Sequence, residues 1–309
     1  MSGEKSIIIL SEKASGSSAC QNLLAKFADV RHVARTRHYQ NETLYWTKAA
    51  SVLGLPQRKM VDSEVPIPPA RARRDLVELL RTNLDDFQPP ADDHELIESG
   101  WRSLCLHHAP IFLEKSPHHL CQWSALELIL EFARRTEDID TLLIGLVRNP
   151  MATLYSNYRE WKSPPEQVER QWCAAYRNLL RLKEEAGDRL VVVRYEDIVT
   201  SLEYMAPVFA FCGVQTDDAD NDYLHRKSLQ RWRKDTLFGH ELADETVALA
   251  GEFGYRREEL ANDPHPLWPV TRNLSRAIYK TTGPLKKLIK RNLKKLASGS
   301  GAHSLLGLA

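Results

Sequence analysis

The sequence predicts an α/β fold with three layers, a central parallel sheet flanked by helices. Three observations carry this. Ile7-Ile8-Ile9-Leu10 and Thr141-Leu142-Leu143-Ile144-Gly145-Leu146-Val147 are short apolar runs, each followed by a polar turn and an amphipathic segment. A third run, Leu190-Val191-Val192-Val193, ends in Arg194-Tyr195-Glu196-Asp197. Runs that are apolar throughout fit strands covered on both faces, as strands of parallel sheets are.

The first element is a strand over 6–10, four consecutive aliphatic residues bounded by polar ones. A helix over 17–28 follows a turn of small residues. Residues 61–74 carry Pro66, Pro68 and Pro69 among charges and read either as an irregular excursion near a pocket mouth or as a plain surface loop. Apolar residues at helical spacing predict helices over 71–84 and 123–135. After the strand over 141–147, Asn149 suits a cap and Pro150 the first helical position, so a helix is expected over 151–161. Helices over 166–186 and 201–212 enclose the strand over 190–193. The proline-rich 263–269 closes the body, giving a domain over 1–270 and a tail over 271–309.

Composition narrows the classes. The chain has 309 residues and 43% hydrophobic content, enough for one large α/β domain. No run of 18 apolar residues predicts a membrane span, and Glu4 and Glu12 flank an apolar run too short for a secretory signal. Cys20, Cys105, Cys121, Cys173 and Cys212 are odd in number and contain no C-x-x-C pair, which fits a reducing cytoplasm and no zinc site. His107-His108 and His118-His119 lack metal-ligand context and read as structural or acceptor-lining. The net charge of +1 conceals an asymmetry: from Thr271 onward there are nine Lys/Arg and no Asp/Glu. A basic tail on an acidic body points to an anionic partner for the tail, with no nucleic-acid binding expected of the whole chain.

Lys13-Ala14-Ser15-Gly16-Ser17-Ser18 lies between strand and helix, where backbone N–H groups and the helix dipole suit a phosphate. Ser15, Ser17 and Ser18 add hydroxyls. The run is not G-x-x-x-x-G-K-[ST], which opposes a P-loop-type phosphotransferase. Arg148 ends a strand, and Ser156 follows eight residues later. A guanidinium, fixed in charge, suits a phosphate by paired contacts.

These motifs resemble those of sulfotransferases using 3′-phosphoadenosine-5′-phosphosulfate (PAPS). Ser15-Gly16-Ser17-Ser18 is similar to the family's 5′-phosphosulfate loop. Arg148-Asn149-Pro150 with Ser156 is similar to its 3′-phosphate motif, Arg194 to Asp197 to its R-Y-E-D segment, and Trp232-Arg233-Lys234 to a late element over the nucleotide. Glu114-Lys115-Ser116-Pro117 resembles the E-K-[ST]-P segment of carbohydrate- and heparan-modifying members. The resemblance spans residues 6–255 and implies a P-loop-kinase-like sulfotransferase architecture, with PAPS as co-substrate and no metal. It implies donor contacts from Lys13, Ser15, Gly16, Ser17, Ser18, Arg148, Ser156, Tyr195, Trp232 and Arg233. Glu42 matches the general base, with His38 as competitor, and Lys115 and Lys13 would stabilise charge at the transferring group. The implied acceptor is a hydroxyl of a carbohydrate or glycolipid. One departure stands out, because Ala14 occupies the place of the basic residue usual before Ser-Gly. It leaves room for a non-catalytic nucleotide-binding or scaffold protein.

In the tail, Leu285, Leu288, Ile289, Leu293 and Leu296 share a helical face among Lys286, Lys287, Lys290, Arg291, Lys294 and Lys295, with a helix start at Pro284. A basic amphipathic helix over 284–297 suits an anionic membrane surface, and equally packing on the body or holding an anionic glycan. The expected location is cytoplasmic, peripheral at the inner membrane face.

Overall fold

The structure is a computed structural model that describes residues 4–215, 224, 229–262 and 265–297, without the side chains of Tyr39 and of 283–297. Among the described residues, β1 (Glu4–Ser11), β2 (Val30–Arg31), β3 (Ile111–Lys115), β4 (Ile139–Val147) and β5 (Leu190–Arg194) form one sheet in the order β2-β3-β1-β4-β5. Every pairing is parallel. β1 is central, with Ile9 beside Lys115 of β3 and Ile144 of β4.

The alternation of a strand sorts β1 into two cores. Ile7 and Ile9 join a cluster with Cys20 and Leu23 of α1 (Ser17–Leu24) and with residues of α8 (Tyr195–Thr200) and α9 (Ala206–Cys212). Ile8 and Leu10 join the larger cluster. Most of its helical residues come from α2 (Tyr45–Val52), α3 (Pro69–Asn83), α4 (Asp93–His107), α5 (Trp123–Arg135) and α7 (Pro165–Ala186). All four aliphatics are at most 1% exposed, and each stabilises the sheet by about 1.5–3 kcal/mol through burial. Gly145 of β4 admits Leu179 of α7: a Cβ there would stand 2.6 Å from a Leu179 methyl.

A third cluster gathers Met151, Tyr155 and Tyr158 of α6 (Pro150–Trp161) with Trp232 of α10 (Arg231–Lys234), Phe238 and Trp268. α11 (Asp244–Gly251) packs on α7, α12 (Arg257–Leu260) follows, and α13 (Trp268–Ala297) ends the described chain.

The expected central strands and most helices are present, with local differences. The segment expected as one helix over 201–212 is a 3-10 turn, Leu202–Met205, followed by α9. Pro207 in the first turn of α9 lacks the N–H that a continuous helix would use. α13 begins at Trp268 and passes through Pro284 instead of starting there. The face expected of Leu285, Leu288, Ile289, Leu293 and Leu296 lies outside the described side chains.

Candidate active site

The carboxyl ends of β1, β3 and β4 meet beneath a cavity of about 1050 Å³, where ligands bind in open α/β sheets. Its walls include Lys13, Gly16, Ser17, Ser18, His38, Glu42, Arg148 and Ser156. Eight of the residues predicted for the site therefore line one space.

The β1–α1 turn is held in an unusual backbone shape. Ala14 has φ 61° and Gly16 φ 92°. Gly16 caps α1, its carbonyl accepting from the N–H groups of Ala19 and Cys20. The first N–H groups of a helix lack intrahelical acceptors, so those of Ser17 and Ser18 are available to an anion. Tyr195, 5% exposed, lies against Gly16 on one side, and the Arg148 guanidinium stands 4.9 Å from the ring centroid. A Cβ on Gly16 would come within 2.3 Å of that ring. Gly16→Ala is therefore expected to lower the melting temperature by at least about 2 °C, since left-handed backbone alone costs a Cβ-bearing residue about 1–2 kcal/mol. A thermal melt overlaying the parent's would refute this.

Ser15, expected among the donor contacts, is placed differently from Ser17 and Ser18. Its hydroxyl is fully buried beneath the loop, 3.2 Å from the Tyr176 hydroxyl, which donates to the Leu146 carbonyl. The left-handed turn at Ala14 sends it towards the core and away from the cavity wall. Lys13 reaches the cavity, but its ammonium donates to the carbonyls of Val61 (3.0 Å) and Asp62 (2.8 Å). It thereby ties the proline-rich excursion across the mouth, where Asp62, Ser63 and Glu64 form wall. Burial lowers the pKa of Lys13, with Glu12 and Asp62 opposing.

Lys115 is fully buried at the end of β3. Its ammonium lies 3.2 Å from each of the Ser18 hydroxyl, the Gln40 carbonyl and Glu42 Oε1. One cation thus joins the phosphate-type loop to the carboxylate expected to act as base. Burial raises the Glu42 pKa above the ordinary carboxylate value, with Lys115 opposing. His118, whose Nδ1 stands 3.9 Å from Glu42 Oε2, is held neutral by burial. His38 pairs with Glu64 (Nε2 to Oε1 3.2 Å), and burial depresses its pKa to about 4. Glu42 and His38 also border a second cavity of about 340 Å³ with Arg35, Arg37, Lys48 and Asp75, so both stand where two spaces meet.

The segment carrying Glu42 is fixed by groups that the sequence reading did not select. Alternation in β3 turns Glu114 away from Lys115, and its carboxylate accepts from the hydroxyls of Thr43 (2.6 Å) and Ser116. His119 stands 3.4 Å from the same carboxylate and 2.8 Å from the Thr47 hydroxyl. Ser116 also accepts from the Leu44 N–H. Burial pushes the Glu114 pKa up, but His119, Ser116 and Thr43 outweigh it and hold it below the ordinary value. Applying strand alternation across Glu114-Lys115 was the signal that could have found this.

Arg148 donates to the Ala14 carbonyl (2.7 Å), and Asn157 of α6 donates to the Lys13 carbonyl (3.3 Å), so the second motif braces the first. The Arg194–Asp197 segment is mostly scaffold. Arg194 pairs with Asp197 (2.6 Å), and Glu196 accepts from the Asn149 N–H (3.1 Å) and the Tyr255 hydroxyl (2.6 Å). Trp232 and Arg233 are not brought to the cavity wall. Trp232 is buried in the aromatic cluster under α6, and Arg233 donates to the Glu258 carbonyl. Trp232 shares that cluster with Tyr155, Tyr158 and Phe238.

Residues 6–218 match the sulfotransferase family. The chain belongs to that family. Among solved structures, this sulfotransferase is similar to the sulfotransferase domain from the curacin biosynthetic pathway. That match has TM-score 0.55 and 17% identity and covers 82% of this chain and 98% of that one. A sulfotransferase from Alicyclobacillus acidocaldarius is matched at TM-score 0.46 and 14% identity over 80% of this chain and 94% of that one. No curated protein sequence matches the sulfotransferase significantly. The first of these likenesses agrees with the observed parallel α/β architecture.

Proposed function

We propose that this sulfotransferase moves a sulfuryl group from PAPS to a hydroxyl of a carbohydrate or glycolipid, with Glu42 as general base. The observation that carries the reading is the position of Glu42, bordering both cavities and held by the cation that also touches the β1–α1 loop. The acceptor oxygen bonds to sulfur as its proton passes to Glu42. The bond from sulfur to the 5′-phosphate oxygen breaks, and 3′-phosphoadenosine-5′-phosphate leaves. As in phosphoryl transfer, alignment and charge stabilisation supply most of the rate. Lys115, Lys13 and the N–H groups of Ser17 and Ser18 suit the charge developing at the leaving end. Arg148 and Ser156 suit the 3′-phosphate. The carbohydrate preference rests on the Glu114-Lys115-Ser116-Pro117 likeness. The reading keeps a cytoplasmic location with peripheral membrane contact through 284–297. Among the described residues no helix is long and apolar enough to cross a membrane.

Calorimetry with 3′-phosphoadenosine-5′-phosphate against ADP and AMP tests the donor. Tight binding that requires the 3′-phosphate is the expected result. Equal affinity for ADP would overturn the donor assignment and return weight to a phosphotransferase or a non-catalytic protein.

A further inference from the structure

We infer that α13, together with Leu267 just before it, docks the protein on an anionic lipid surface through an apolar stripe upstream of 284–297. This deepens the membrane contact of the proposed function and is independent of the donor chemistry. Leu267, Val270, Leu274 and Ile278 are 56%, 65%, 61% and 52% exposed. They are spaced three, four and four residues apart, which sets them along one side of a helix. The described residues hold seven large hydrophobics with such exposure, and these four lie together while Leu106, Tyr204 and Leu237 are scattered. Isolated exposed apolar residues need no explanation, but a contiguous stripe marks an interaction surface.

The stripe is turned outward by its anchor. Trp268 is buried, its ring centroid 4.9 Å from Tyr158 and 5.0 Å from Phe238. Arg272 pairs with Glu166 at the start of α7. Both contacts lie on the opposite flank of the helix from Val270 and Leu274, so the root is fixed while the apolar side faces solvent. α13 runs for 30 residues, about 45 Å at the helical rise.

Charge selects the occupant. From Thr271 onward the chain carries nine cations and no carboxylate side chain. Lys280 is exposed and has no ion-pair partner among the described residues. A second copy pairing by its stripe would bring two uncompensated sets of cations together. An acidic protein face would satisfy the cations and leave the stripe in water. A bilayer interface with anionic headgroups takes both, acyl chains receiving the stripe while flanking Lys and Arg reach the phosphates.

The test is co-sedimentation of the full chain with vesicles of phosphatidylcholine alone or mixed with phosphatidylglycerol. Binding to the mixed vesicles, at least about tenfold weaker on phosphatidylcholine alone, is expected from several near-surface cations. Leu274→Glu with Ile278→Glu, and separately Lys280→Glu with Lys287→Glu, should each weaken that binding by about tenfold or more. Thermal melts check that the variants fold, and calorimetry with 3′-phosphoadenosine-5′-phosphate should be unchanged in both. Equal binding by parent and variants, or none by the parent, would overturn the inference whatever the nucleotide result. A concentration-dependent dimer lost in Leu274→Glu with Ile278→Glu, seen by light scattering, would assign the stripe to a second copy instead.

Discussion

Glu42→Gln is expected to lower kcat by about 10²–10⁴-fold, the usual contribution of a positioned general base, with affinity for 3′-phosphoadenosine-5′-phosphate nearly intact. Glutamine keeps the shape and still offers Lys115 an oxygen, so the contact at 3.2 Å survives while the proton acceptor is gone. The pH profile gives a second readout. A base works deprotonated, so parental activity falls as pH drops through the Glu42 pKa, which burial raises above the ordinary value of 4.5. That acid limb should vanish in Glu42→Gln. Full turnover in the variant would remove the assignment. Collapse in His38→Gln instead would move the role to His38, whose neutral imidazole borders the same two cavities.

Arg148→Ala is expected to weaken binding of 3′-phosphoadenosine-5′-phosphate by about 10–100-fold, as loss of a hydrogen bond to a charged group costs roughly 1.5–3 kcal/mol. ADP binding should fall less. The residual loss for ADP would come from the loop, because Arg148 donates to the Ala14 carbonyl and packs on Tyr195, which lies against Gly16. The ratio of the two affinities therefore separates recognition from bracing. If both nucleotides lose affinity equally, Arg148 only supports the loop.

The central strands were legible because Ile7-Ile8-Ile9-Leu10 and the run ending at Val147 are unbroken and bounded by turn residues. The pairing of their loops was legible through motif spacing, and Lys13, Gly16, Ser17, Ser18, Glu42, Arg148 and Ser156 do share one cavity. β3 was not read as a strand. Only Ile111, Phe112 and Leu113 are apolar there, while Glu114 and Lys115 are buried through partners such as Thr43, Ser18 and Glu42 that are remote in sequence. The direction of the Ser15 side chain was not legible, because it depends on a positive φ at Ala14, and alanine carries no local signal for that conformation. Trp232 was placed by resemblance, but an aromatic cluster unmarked by sequence spacing holds it.

The central place of β1 bears on how the chain leaves the ribosome. Its residues are synthesised well before those of its neighbours in the sheet, Ile111–Lys115 and Ile139–Val147. Until those segments are synthesised, Ile7, Ile8, Ile9 and Leu10 have no strand beside them. Contacts of such long sequence separation form slowly, because loop-closure entropy is lost before pairing compensates. During translation this stretch is an unpaired hydrophobic strand, of the kind that chaperones bind and that aggregates when left uncovered. The geometry that centres the β1–α1 loop in the finished sheet thus leaves residues 7–10 of the nascent chain without a strand partner until β3 and β4 are made.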